Sequence, residues 1–202
     1  MMVQAEKQRD RIGAKYGMWL FLFTEILFFG GMFLLYSVYR SKYPVEFHAS
    51  AAEENLLLGS INTAVLLTSS LFIAVAISAV KKGNYRLSVI LQGATILMGI
   101  AFLGIKAAEW SEKIARGIYP NSPVLDKMSM GEILFFGLYY VMTGIHGLHV
   151  LIGVCVIAFM VYFTLTGNIT RENFSKIENT GLYWHFVDIV WIYLFPLFYL
   201  IT

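Results

Sequence analysis

Five ionisable residues sit inside stretches that are otherwise aliphatic and aromatic: Glu25, His146, His149, His185 and Asp188. Two carboxyls and three imidazoles can exchange protons, tie helices together by hydrogen bonds, or ligate a metal. The spacings His146-x-x-His149 and His185-x-x-Asp188 each put two side chains on one helical face. Bundle sites for iron or manganese use Glu-x-x-His on paired helices, so no metal is expected here. Hydrogen bonding that fixes helix register is the ordinary role of such groups, and His185 and Asp188 are expected to satisfy each other. Glu25 lies among Phe23, Ile26, Leu27, Phe28 and Phe29, which offer a charge little solvation. It reads equally as a proton-exchanging carboxyl and as a structural one. Lys106 and Glu109 share another face and are expected to form an interfacial ion pair with the lysine stem snorkelling.

The elements that must position these groups follow from composition. The chain has 202 residues, 58% of them hydrophobic and 14% charged, against ~25% charged in a soluble domain. A net charge of +2 without a basic run argues against nucleic acid. The single cysteine, Cys155, excludes an intrachain disulfide and a thiolate metal cluster. A helix needs about 20 apolar residues to cross a bilayer, and five stretches qualify: residues 17–39, 57–80, 87–108, 133–163 and 182–201. The expectation is an all-α integral membrane bundle of five transmembrane helices, one domain over residues 1–202. The first run is too long for a cleavable signal and reads as a retained helix. Lys81-Lys-Gly-Asn84 predicts a tight turn between the second and third helices, and Tyr119-Pro-Asn-Ser-Pro123 breaks the next connection.

Basic residues in short loops set orientation. Lys7, Arg9, Arg11, Lys15, Lys81, Lys82, Arg86, Arg171 and Lys176 fall on one side; Arg40, Lys42, Lys113, Arg116 and Lys127 fall on the other. This places the N-terminus in the cytoplasm and the C-terminus outside. All five buried ionisable groups then lie in or near the cytoplasmic half, on three helices, and are expected to converge. Gly30, Gly31, Gly99, Gly104, Gly144, Gly147 and Gly153 are expected at close helix contacts, and Trp19, Trp110 and Trp184 in an interfacial belt. There is no phosphate-binding loop, nucleophile elbow or His-Glu-x-x-His motif, hence no visible catalytic machinery.

Three segments carry a resemblance: GMWLFLFTEILFFGGMF at 17–33, GIHGLHVLIG at 144–153 and YWHFVDIVW at 183–191, with Lys106-Ala-Ala-Glu-Trp110 between. In this order they resemble subunit III of the haem-copper terminal oxidases, over essentially the whole chain. The resemblance implies a non-catalytic subunit in the bacterial cytoplasmic membrane, beside subunit I, which bears the haem-copper core, and subunit II. It implies that haem and copper sit in those partners and not in this chain, and that phospholipid binds the family. At the Glu25 position it implies a buried carboxylate that supports proton uptake into the core. Longer relatives have seven helices; this chain matches the five-helix bacterial form, which puts the family's lipid cleft in doubt. Thr24-Glu25 stands where quinol-oxidising branches often carry Ser-Asp, favouring cytochrome c as electron donor. A quinol oxidase subunit is the alternative within the family. An independent proton-coupled transporter is the alternative from another class, and a membrane metalloenzyme is the most remote.

Overall fold

Long apolar runs become long helices here because a bilayer offers backbone N–H and C=O groups no partner outside the helix itself. The computed structural model describes residues 2–201, with side chains from residue 12 onward. The side chains of Lys7, Arg9 and Arg11, used above for orientation, lie outside the described residues. The helices are α1 (Met2–Lys42), α2 (Pro44–Ala52), α3 (Leu56–Lys81), α4 (Tyr85–Ala115), α5 (Met130–Leu165) and α6 (Ser175–Tyr199), with a single 3-10 turn at Leu125–Lys127. No strand forms among the described residues. All but α2 are long and apolar enough to span a membrane. The chain is an all-α, multi-pass membrane protein.

Local chemistry sets the ends. Asn55 and Asn84 cap α3 and α4 by accepting from Leu58 N and Leu87 N, and Ser129 with Glu132 closes a capping box on α5. Gly83, at φ 80°, lets the chain reverse in the short turn that makes α3 and α4 a hairpin. The helix α2 was not foreseen. Its signal was Pro44 at a first helical position, and its buried Phe47 seats against Tyr36 and Phe135.

The cationic turns gather at one end. Lys81 pairs with Glu178 at 2.5 Å, Tyr85 OH accepts from Arg171 N, and Asn179 donates to Ala14 O. The start of α1, the α3–α4 turn and the α5–α6 connection therefore share one end. Helix α6 is the centre, 56% of its most apolar window being buried, whereas α1 buries 11%. Among the described side chains of α1, Leu22, Phe29 and Tyr36 are buried, one seam at seven-residue spacing.

Two expectations change. Trp184 is fully buried rather than interfacial. Its ring lies where a Cβ on Gly99 or Gly153 would come within 2.9 or 2.7 Å, and its Nε1 donates to Ser69 Oγ at 3.0 Å. Those two glycines thus do the close-contact work expected of them. Gly30, Gly31 and Gly104 have open space at the Cβ position; Gly30 lines an open groove between α1 and α6.

Candidate functional site

The five ionisable groups do not form one cluster. Glu25 on α1 and His149 on α5 do meet, Nε2 to Oε2 at 3.2 Å, with both side chains mostly shielded. His149 Nδ1 lies 2.8 Å from Ile145 O, so that nitrogen carries the hydrogen it donates to the carbonyl. The remaining Nε2 therefore faces the carboxyl, and a proton on either group would complete a hydrogen bond between them. Tyr183 OH donates to His149 O, and Phe29 sets its edge against the imidazole. The α1 seam positions the carboxyl; Gly153, by admitting Trp184, draws α5 and α6 together beneath it.

His185 and Asp188 address Ser70 on α3 rather than each other. Ser70 Oγ is 2.6 Å from His185 Nδ1. The Asp188 carboxyl interacts with the same serine without closing an aligned hydrogen bond. Three residues along a helix separate the pair by about 4.5 Å of rise, and Ser70 fills the position between. His146 stands apart, 1% exposed. It is stacked on Trp191 with the edge of Phe102 against it, and neither nitrogen has a hydrogen-bond partner among the described residues. His185 also lines an apolar groove of about 480 Å³ between α1 and α6, with Trp19, Leu22, Phe33 and Tyr193.

Lys106 and Glu109 do form an ion pair, at 3.3 Å, but deep in the bundle instead of at its edge, at 7% and 4% exposure. The cause is that α4 runs on to Ala115, which puts Lys106 about 13 Å below its end. Lys106 Nζ also donates to Tyr139 OH at 3.0 Å and Tyr199 OH at 2.7 Å. Both phenols donate in turn to Glu109 Oε1, at 2.5 and 2.6 Å. The ammonium lies over the rings of Tyr139, Trp191 and Tyr199. Lys113, two turns on, reaches Glu54 Oε1 at 2.7 Å. Burial pushes the Glu54 carboxyl up to about 7, against the opposing pull of Lys113. Sequence reading missed Glu54, Lys113, Tyr139 and Tyr199. The available signal was the run 106, 109 and 113, which is one face of α4; Lys113 was counted as a loop cation.

Among the described residues, no group of three or more His, Cys, Asp or Glu is placed to hold a metal. A family model described as cytochrome c oxidase subunit III matches residues 4–202. The chain is 33% identical over 187 residues to a protein of Thermostichus vulcanus named cytochrome c oxidase subunit 3, covering 92% of this chain and 86% of that one. It is 30% identical over 190 residues to a probable quinol oxidase subunit 3 of Staphylococcus saprophyticus, covering 93% and 88%. It is 31% identical over 199 residues to a heme-copper oxidase subunit I+III of Aeropyrum pernix, covering 96% of this chain but 23% of that longer protein.

Proposed function

We propose that this chain, which belongs to the cytochrome c oxidase subunit III family, works as the non-catalytic subunit III of a proton-translocating haem-copper oxidase in the bacterial cytoplasmic membrane. Its task is to stabilise the catalytic core and to keep protons supplied to it. Haem and copper then belong to the partner subunits I and II, and electrons come from cytochrome c. The N-terminus faces the cytoplasm, following the excess of lysine and arginine on that side.

The observation that carries this reading is the Glu25–His149 pair. It joins a carboxyl on α1, a helix little covered by the rest of this chain, to an imidazole on α5. A proton kept there, in a low-dielectric setting, can pass to a neighbouring subunit without crossing the core of this chain. That a relative is named as a subunit I+III supports subunit I as the neighbour. The apolar α1–α6 groove suits a phospholipid acyl chain. A second reading, subunit III of a quinol oxidase, is favoured by the relative that bears that name.

Purification through this chain in mild detergent tests the proposal. Haem absorption and copper in the eluate are expected, and oxidation of cytochrome c against quinol then separates the two donors. Proton-coupled transport by the chain alone in vesicles, with no haem in the eluate, would replace the proposal with a transporter. Within the oxidase, Glu25→Ala is expected to shorten catalytic lifetime or slow turnover at alkaline pH. Unchanged turnover and lifetime across pH would leave Glu25 a structural residue.

A further inference from the structure

The α2 end of the bundle holds four charges for which the oxidase reading has no use. Lys106, Glu109 and Lys113 come from α4, and Glu54 enters from the turn between α2 and α3. We propose that Glu54 and Glu109 form a proton-binding site, a carboxyl pair that holds one proton between them and exchanges it with the water at that end of the bundle.

Three observations carry it. First, the Glu54 side chain is wholly shielded, yet neither of its oxygens closes a hydrogen bond among the described residues. Lys113 supplies charge at 2.7 Å without the alignment of a bond. Second, the Glu54 and Glu109 carboxyls interact directly. Ionised carboxyls only accept, and like charges sharing one site oppose joint ionisation; a single proton supplies the missing donor and removes the repulsion. Third, there is a route. Glu109 lines a polar pocket of about 170 Å³ whose rim is formed by Glu53, Asn55, Glu112, Lys113 and Arg116.

The groups facing Glu54 are Lys106, Glu109 and Lys113 from α4, Tyr139 and Tyr140 from α5, and Tyr199 from α6. Lys106 is committed to Glu109 and two phenols. Lys113 pairs with Glu54 and lies over the rings of Phe136 and Tyr139, while its side chain lines the same pocket as Glu53 and Glu112. When the proton arrives, Lys113 leaves Glu54 for those exposed carboxylates. When the proton departs, it returns and ties the α2–α3 turn to α4. The Glu54 carboxyl, raised to about 7 by its burial, makes the exchange fall near neutrality.

Infrared difference spectra of the full chain in nanodiscs, stepped between about pH 5 and about pH 9, read the site directly. A carboxylic-acid C=O band is expected to disappear with a midpoint of about 7. It should be absent from Glu54→Gln, displaced in midpoint in Glu54→Asp, and unaltered in Glu25→Gln, which separates it from the α1–α5 pair. No such band in the wild type, its survival in Glu54→Gln, or an unmoved midpoint in Glu54→Asp would each overturn the proposal. Should Glu54→Gln fail to accumulate, the wild-type and Glu54→Asp titrations decide alone.

Discussion

Replacing Lys106 by methionine removes one charge from a buried network while keeping the volume of the stem. Glu109, 4% exposed, is left without its ammonium, which had bonded to the carboxylate and to both phenols that support it. Breaking a buried pair from one side costs roughly 3–5 kcal/mol because the other charge is stranded. Two phenols still donate to Glu109 at 2.5 and 2.6 Å, which sets the expectation at the lower end, about 3 kcal/mol. The double variant Lys106→Met with Glu109→Gln removes both charges and keeps a side-chain acceptor for the phenols. It should recover about 2 kcal/mol of that loss, a coupling within the range for contacting residues. Reversible unfolding in mixed micelles, followed by helical circular dichroism, gives both numbers. If Lys106→Met is as stable as the wild type, or the double variant loses the sum of the two single losses, the network is not the charge-compensated unit described.

Gly153→Ala places a methyl 2.7 Å from the Trp184 ring, which cannot retreat without leaving Ser69; a loss of about 1–3 kcal/mol is expected, read by the same unfolding assay, and Gly30→Ala, with open space at its Cβ, should cost nothing comparable. His146→Phe exchanges an unpaired buried imidazole for a ring of similar size in an aromatic stack, so stability should hold or rise by about 1 kcal/mol, and a clear loss would show that the imidazole is bonded. Glu54 makes stability depend on pH. Its carboxyl is raised from 4.5 to about 7, so the folded chain binds that proton more tightly than the unfolded one. Stability is greatest below pH 4.5, falls as pH rises towards 7 and stays lower above it, by roughly 3 kcal/mol in total. Unfolding midpoints against pH should show this decline in the wild type and a flatter profile in Glu54→Gln.

The five crossings were legible because hydrophobic length alone decides them, and the α3–α4 turn because Lys81-Lys-Gly-Asn84 contains its own cap and reversal. The Glu25–His149 meeting could be anticipated only as one of several pairings. Periodicity says which face a residue shares on its own helix, and nothing about the neighbour across from it. Ser70 illustrates the limit: a serine among apolar residues gave no sign that it would stand between His185 and Asp188. The network around Lys106 was hidden because Glu54, in the turn after α2, gave no sign that it would reach Lys113. Without that carboxyl, positions 106 to 113 look like an interface, and tyrosines at 139 and 199 look like a headgroup belt. Trp184 misled because an indole near a helix end is ordinarily an anchor in the headgroups.

The central place of α6 also bears on how the protein is made. The ribosome delivers α3, α4 and α5 before the helix that joins them, so Gly99 and Gly153 enter the membrane facing each other across the unfilled place of an indole. Until Trp184 arrives, α3 touches α4 and α5 touches α1, α2 and α4, and Ser69 waits for its donor. Insertion of α6 is then a closing step that converts a loose set of helices into one packing arrangement.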